Sequence, residues 1–206
     1  MLWVIPCRYD PIVWDCVASI RRHFPDDEIL LVDSNSPDRS YLDLIDVDHV
    51  ETGNDRRHVG TWKRALGYDA DRFALIHDSL IVHAHWEPGD FQVVRWFHES
   101  GPPTDQRSFI DAELDRIGHE LPDSYAGIFG PMLFCTRDVL EDFAATGLLD
   151  AQPADVIEAA AMERLTGIVA ADLGYDVCAD SLQGQMGDFF GRYTHAHVEK
   201  IHMARP

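Results

Sequence analysis

Short apolar runs alternate with helical patterns along the first part of this chain. Residues 2–6 and 28–33 form apolar runs of strand length, and the second run leads into the polar cluster 33–38. Between them an Asp-Pro pair opens a stretch with apolar residues at helical spacing as far as residue 23. This order predicts a β-α-β unit, whose two strands pair in parallel and end at the same edge of the sheet.

The rest of the chain continues this alternation of strand and helix patterns. Further strands are predicted at 48–51, 72–78, 127–135 and 176–179. Further helices are predicted at 59–68, at about 109–120, at 137–146 and at 154–173. No repeat or low-complexity segment separates these elements. We therefore expect a single domain over 1–206, of the α/β class, with a mostly parallel sheet flanked by helices.

Charge narrows the possible functions of the chain. The 206 residues include 17 Lys and Arg against 36 Asp and Glu, a formal net charge of −19, while 46% of residues are hydrophobic. This composition predicts a globular chain with a real core. This charge argues against nucleic-acid binding, because such affinity comes largely from basic side chains that neutralise phosphates, and the sequence has no basic stripe.

Cysteine usage and the absence of long apolar runs suggest a location. The four cysteines show no CxxC spacing and are too sparse to stabilise a fold of this size. The N-terminus has no basic flank followed by a long apolar stretch, and no run reaches the length of a membrane span. We expect a soluble, cytoplasmic protein without a membrane span.

Two lysines and the C-terminal segment supply candidate phosphate ligands. Of the 17 basic residues, only Lys63 and Lys200 are lysines, which marks positions where arginine does not fit, unless drift alone preserved them. From their charge we assign Lys63, Lys200 and Arg205 to phosphate binding. His195 and His197 alternate in the same segment and could bind a metal, although a solvated tail explains them equally well.

Two carboxylates follow predicted strands. Asp33 could accept hydrogen bonds from a nucleotide base or a ribose hydroxyl, although its loop also has ordinary turn composition. Asp78 could bind a divalent cation, Mn or Mg, that would bridge a diphosphate, or it could simply end a strand in a turn. A second carboxylate two residues later would strengthen the metal interpretation, but that position is Leu80.

Taken in order, these pieces resemble nucleotide-sugar glycosyltransferases with the GT-A fold, of the broad family-two type. The family's successive motifs are matched by Val4-Ile5-Pro6-Cys7-Arg8, Val32-Asp33-Ser34-Asn35-Ser36-Pro37-Asp38, Gly53-Asn54 with Arg57 to Ala65, Asp78-Ser79-Leu80, Gly130 to Arg137, and Met162-Glu163-Arg164 before Gly174-Tyr175. The match spans most of the chain. Leu80 departs from the family's Asp-x-Asp metal motif.

The resemblance implies roles for individual residues. Pro6, Arg8 and Asp33 would hold the nucleotide base and ribose. Asp78 would hold the metal or the diphosphate, and we add His197 as a possible further metal ligand. Glu163 would be the general base, with Glu158 as the competing choice. Residues 1–84 would form the nucleotide-binding half, and 85–206 the acceptor-side half with the C-terminal tail.

These roles predict a glycosyltransferase that moves a sugar from a nucleoside diphosphate sugar to an acceptor hydroxyl, with inversion. The alternatives are a nucleotidyltransferase, a catalytically degenerate nucleotide-sugar-binding protein, and a zinc hydrolase built on the histidines. The chain lacks the glycine-rich basic loop of a nucleotidyltransferase, whereas Leu80 favours the degenerate binding protein. The acceptor is open, a modified nucleobase included, and we expect residues 85–125 to select it.

Overall fold

A computed structural model describes residues 1–8, 10–186 and 192–201 of the chain. Its elements in chain order are β1 (Leu2–Cys7), α1 (Ile12–His23), β2 (Glu28–Asp33), β3 (His49–Glu51), α2 (Arg57–Ala65), β4 (Arg72–Leu75), β5 (Leu80–Val82), β6 (Phe91–Val93), β7 (Trp96–Glu99), α3 (Arg107–Ile117), β8 (Tyr125–Ile128), β9 (Leu133–Thr136), α4 (Arg137–Thr146), α5 (Val156–Asp172), β10 (Arg192–Thr194) and β11 (Val198–Ile201). Short 3-10 turns occupy Ser40–Asp43 and Leu148–Asp150.

A six-stranded sheet lies at the centre, in the order β3-β2-β1-β4-β9-β6. The first four strands are parallel to one another, and β9 is antiparallel to both of its neighbours. The predicted β-α-β unit is confirmed, with Pro6 opposite Val32 and Cys7 opposite Asp33. The predicted α/β class with a mostly parallel sheet is therefore confirmed as well.

The two faces of this sheet pack against different helices. Trp3 and Ile5 of β1 point into a core shared with α1, whereas Leu2 and Val4 point into a core shared with α2, α3, α4 and α5. This division follows from the alternation of side chains along a strand. Because both faces are covered, β1 and β2 are continuous apolar runs, which is the pattern that made them predictable.

Two smaller sheets lie beside the central one. β5 pairs with β11, which pairs with β10, and β7 pairs with β8; all these pairings are antiparallel. Gly167 of α5 lies so close to β8 that a Cβ there would meet the carbonyl group of Ala126. Glycine at 167 thus allows α5 to pack directly on the β7–β8 hairpin.

Three predicted strands differ from the structure. The strand predicted at 72–78 ends at Leu75, because the chain leaves the sheet there and enters a turn before β5. The strand predicted at 127–135 is two strands in different sheets, β8 and β9, separated at Gly130, whose φ is +60°. No strand forms at 176–179, where the Asp176 carboxylate accepts the backbone N–H groups of Cys178 and Ala179 in a turn.

Among the residues that the structure describes, no helix is both long and apolar enough to cross a membrane.

Candidate functional site

The carboxyl ends of β1 and β2 lie side by side at one edge of the central sheet. The backbone N–H of Ser34 donates to the Cys7 carbonyl at 2.7 Å. Burial, together with the charges of Asp78 and Asp33, raises the pKa of the Cys7 thiol to about 12. Both carboxylates therefore lie within electrostatic reach of Cys7, so the structure brings the two strand-end aspartates to the same edge.

Asp33 is fully buried and already holds three donors from the loop that follows it. The Tyr41 hydroxyl donates to Asp33 Oδ1 at 2.9 Å, and the Ser36 backbone N–H donates to Oδ2 at 3.2 Å. Arg39 Nε also donates to Oδ2, at 3.1 Å, from a half-exposed side chain. A base or ribose could therefore reach Asp33 by displacing Arg39, which is the one solvent-accessible partner of these three.

Sequence reasoning missed Tyr41 and Arg39 as parts of this edge. Tyr41 is buried and its ring packs near Trp14, with centroids 5.9 Å apart. Arg39 also donates to Asn35 Oδ1 at 3.4 Å, and Asn35 has a left-handed φ of 59°. The only signal in the sequence was the position of Arg39, six residues after Asp33. The pattern did not indicate that the loop folds back and brings these two side chains together.

Asn54 connects this edge to the beginning of α2. It is buried, and its side-chain amide donates to Ser34 Oγ at 3.1 Å, to the Arg57 carbonyl at 2.6 Å and to Thr61 Oγ1 at 3.0 Å. Its backbone N–H donates to the Asp33 carbonyl at 3.2 Å. The Gly-Asn pair singled out by the sequence therefore fixes the first turn of α2 next to the end of β2.

The other residues predicted to bind the donor lie in different places. Pro6 is half-buried in β1, and Arg8 is exposed directly after that strand, so both lie at the edge that carries Asp33. Lys63, further along α2, forms an ion pair with Asp150, and both side chains are about half exposed. The structure thus gives Lys63 a partner away from the strand ends. Arg205 lies outside the described residues.

Lys200 lies next to the turn that contains Asp78. In the antiparallel pair of β5 and β11, Lys200 stands opposite Leu80. The Lys200 side chain is 5% exposed, and its ammonium group donates to Ser79 Oγ. Asp78 is 2% exposed and is the chain neighbour of Ser79. A buried positive side chain of β11 therefore contacts Ser79, the residue next to the buried carboxylate of Asp78.

Glu163 reaches the same region from α5. Its Oε1 accepts the backbone N–H of Gly130 at 2.9 Å. A Cβ added to Gly130 would lie 3.2 Å from His77 Cε1, and the His77 ring stacks on His58 with centroids 5.3 Å apart. His58 Nε2 is 3.4 Å from the carbonyl oxygen of Ala159, one turn before Glu163. These contacts place Glu163 beside the residues that follow β4.

Burial among these neighbours shifts the pKa of both Glu163 and His58. Burial raises the pKa of Glu163 to about 7, although the hydrogen bond from Gly130 and the charges of Arg164 and Lys200 oppose the shift. Burial, together with the charges of Arg57 and Lys200, lowers the pKa of His58 to about 4. Near neutral pH, His58 is therefore uncharged, whereas Glu163 is poised between its two protonation states.

Arg164, the next residue on α5, has a structural partner. Its guanidinium is buried and pairs with Glu99 of β7 at 2.5 and 2.8 Å. Its Cζ atom also lies 5.0 Å from the centroid of the Phe97 ring, and the Tyr125 hydroxyl donates to Glu99 at 3.0 Å. This network attaches α5 to the β7–β8 hairpin and thereby fixes where Glu163 points.

Glu158, the competing candidate for the general base, lies in the first turn of α5, five residues before Glu163. Asp155 caps the helix by accepting the backbone N–H groups of Ile157 and Glu158 at 2.8 and 2.9 Å. The Glu158 side chain turns back and accepts the N–H of Ala154 at 2.6 Å. This arrangement is close to a capping box, in which the acidic side chain stabilises the helix start.

The residues near Asp78 do not fit a divalent cation. Manganese and magnesium prefer several oxygen ligands, and here Leu80 occupies the position of the second carboxylate. His197 lies next to His83 at the opposite end of the β5–β11 pair, where its ring stacks on Trp86 with centroids 5.3 Å apart. In 1–8, 10–186 and 192–201, no three His, Cys, Asp or Glu side chains are grouped to hold a metal.

An open groove of about 520 Å³ lies on the other side of the β5–β11 pair, against α1. Its lining includes Ser19, His83 and Glu199. Side chains alternate across a strand, so Glu199 faces this groove whereas Lys200 faces Ser79. The groove is therefore separate from the cluster of Asp78, Lys200 and Glu163.

Comparisons with known proteins identify similar folds only. Neither protein-family models nor curated proteins match the sequence. Among solved structures, S. aureus TarS matches over 68% of this chain and 29% of its own, with 12% identity and a TM-score of 0.38. TarS 1-349 matches over 79% and 54%, with 11% identity and a TM-score of 0.40. TarS 1-349 in complex with UDP matches over 74% and 52%, with 11% identity and a TM-score of 0.36. The chain thus spans about half or less of these structures.

Proposed function

We propose that this chain is a glycosyltransferase that moves a sugar from a nucleoside diphosphate sugar to an acceptor hydroxyl, with inversion at the anomeric carbon. The observation that carries the proposal is Glu163, a partly buried carboxylate with a pKa raised to about 7, held by Gly130 beside the strand-end segment of Asp78. A general base works best when its pKa lies near the working pH.

The reaction follows from these groups. The acceptor oxygen attacks the anomeric carbon and forms the new glycosidic bond, while its proton passes to the Glu163 carboxylate. The bond between the anomeric carbon and the diphosphate oxygen breaks, and its electron pair leaves with the nucleoside diphosphate. Pro6, Arg8 and Asp33 would bind the base and ribose, because they share the edge of the sheet where ligands bind in open α/β folds.

A catalytically degenerate nucleotide-sugar-binding protein is the second candidate. Leu80 favours it, because this residue is fully buried where the resembled family carries a metal-binding carboxylate. Such a protein would bind nucleoside diphosphate sugars without releasing the nucleotide. The raised pKa of Glu163 favours the enzyme, because strongly shifted pKa values cluster at catalytic sites.

The test measures release of nucleoside diphosphate from a panel of UDP- and GDP-sugars, with soluble sugars and nucleosides as acceptors. We expect turnover by the native chain and a loss of about 10²- to 10⁴-fold in Glu163→Gln. Glu141→Gln, a change of the same chemistry at an exposed position of α4, should retain full activity. Binding of a donor without turnover would support the degenerate protein.

Glu158→Gln separates the two candidate bases. If Glu163 is the base, this variant loses helix stability but keeps its rate per folded molecule, because Glu158 caps α5. A loss of turnover in Glu158→Gln together with full activity in Glu163→Gln would overturn the assignment. Failure of every nucleoside diphosphate and donor sugar to bind would overturn the proposed function itself.

A further inference from the structure

We propose that Lys200 supplies the positive charge that a divalent cation would otherwise supply to the donor, so that this chain binds nucleoside diphosphates without metal. The inference rests on the proposed function and extends it to how the diphosphate is held. It concerns position 80, where the sequence departs from the metal motif of the resembled family.

The first argument is position. Position 80 is where the resembled family has the second carboxylate of its metal motif, and here it is a fully buried leucine. The residue that stands opposite Leu80 in the β5–β11 pair is Lys200. The chain therefore lacks one negative charge at this place and has gained one positive charge on the adjoining strand.

The second argument is the balance of charge. The charges of two carboxylates and one divalent cation sum to zero. The charges of one carboxylate, Asp78, and one ammonium group, Lys200, also sum to zero. A divalent cation added beside Asp78 would lie near the ammonium group of Lys200, and Leu80 would offer it no carboxylate. Coulomb repulsion from Lys200 opposes such binding, and it is strong where side chains are shielded from water.

The third argument is placement relative to the reacting groups. The Lys200 ammonium donates to Ser79 Oγ, and Ser79 follows Asp78. The same ammonium lowers the pKa of both Glu163 and His58, so it lies within electrostatic reach of the base. A leaving diphosphate bound at Lys200 would thus be near the base that accepts the acceptor's proton.

The fourth argument is the field of the whole chain. At a net charge of −19, the protein repels a diphosphate, so a bound nucleotide needs local positive charge. Lys200 supplies such a charge as a compact ammonium group on a flexible four-carbon stem.

The first experiment uses the native chain. Isothermal titration calorimetry measures the Kd of UDP, GDP and ADP, each in EDTA and in millimolar Mn²⁺. We expect at least one nucleotide to bind in EDTA, with a Kd within about twofold of its value in Mn²⁺. Binding only in Mn²⁺, or at least tenfold tighter in Mn²⁺, would overturn the role of Lys200 while leaving the proposed function intact. No binding in either condition would overturn the proposed function, and this inference with it.

The second experiment tests the residue. In EDTA, Lys200→Met should weaken binding of the same nucleotide by at least tenfold, whereas Arg107→Met, an equal loss of charge on the surface of α3, should not. Near-ultraviolet circular dichroism verifies that each variant is folded. The double variant Leu80→Asp, Lys200→Met restores two carboxylates, and its binding should require Mn²⁺.

Native-like affinity of folded Lys200→Met in EDTA would contradict the proposal. If Lys200→Met does not fold, the comparison of EDTA with Mn²⁺ on the native chain still tests whether nucleotide binding needs a metal.

Discussion

The backbone N–H of Gly130 donates to Glu163 Oε1 at 2.9 Å, and Gly130 itself has a φ of +60°. The turn between β8 and β9 therefore holds the carboxylate of α5 through a backbone conformation that glycine adopts freely and other residues do not. Any other side chain at 130 would also press on His77, whose Cε1 would be 3.2 Å from the new Cβ.

Gly130→Ala should therefore lower both stability and activity. The left-handed conformation costs a non-glycine residue about 1–2 kcal/mol. Urea denaturation measures the loss in unfolding free energy, and donor turnover measures the displacement of Glu163. Gly101→Ala is the matched control, because Gly101 also has a positive φ, of 89°, but no atom lies within 4 Å of its added Cβ. Equal losses of turnover in the two variants would contradict the link to Glu163.

The activity should rise with pH through neutrality. Only ionised Glu163 can accept a proton, and its pKa is raised to about 7 by burial. The profile of kcat/KM against pH should therefore climb tenfold per unit below about pH 7 and level off above it, since this ratio reports the free enzyme. A profile that is flat between pH 5 and 8 would exclude Glu163 as the base.

The contribution of Glu163 to stability should show the opposite trend with pH. Folded Glu163 keeps its proton up to about pH 7, whereas in the unfolded chain it loses the proton near its ordinary value of 4.5. At this residue the folded state thus binds more protons within this window, so the contribution of Glu163 to the unfolding free energy falls as the pH rises.

Glu163→Gln has no ionisable group at this position and should not show that fall. Its stability relative to the native chain should increase by up to about 3 kcal/mol between pH 4 and pH 8. Denaturation curves of both proteins across this range measure the difference. A constant difference would mean that Glu163 is not shielded from water as its surroundings indicate.

Tyr41→Phe should destabilise the protein without changing its shape. The substitution leaves buried Asp33 without the hydroxyl that donates at 2.9 Å. Loss of one donor to a buried charged group costs about 1–3 kcal/mol. Thermal unfolding measures the cost, and Tyr68→Phe offers a comparison in which the lost bond, to Glu51, is less buried.

The sequence predicted the elements whose pattern is local. β1, α1 and β2 were found because two covered strands are continuous apolar runs and because Asp10-Pro11 marks a helix start. β6 and β7 were missed, since these strands of three and four residues mix aromatic, polar and charged residues. The segment 127–135 was wrongly read as one strand, although Gly130-Pro131 in its middle was a visible turn signal.

The site was predictable only in part for a similar reason. Asp33 and Asp78 could be assigned to one edge because parallel strands align their carboxyl ends. The burial of Lys200 could not be predicted, because it depends on the pairing of β11 with β5, and nothing in either short strand specifies that partner. His58 and His77 were missed as neighbours of Glu163, since their stacking is a contact between distant segments.

The contact between Lys200 and Ser79 joins residues that are 121 positions apart. Contacts of such long sequence separation form late, because the loop must close before the contact is made. The β1-α1-β2 unit can fold around its own apolar strands while the cluster near Asp78 is still open. A chain interrupted before residue 198 would lack the lysine even where the β1–β2 edge that carries Asp33 has formed. Assembly of the complete cluster therefore reports whether the whole polypeptide has folded.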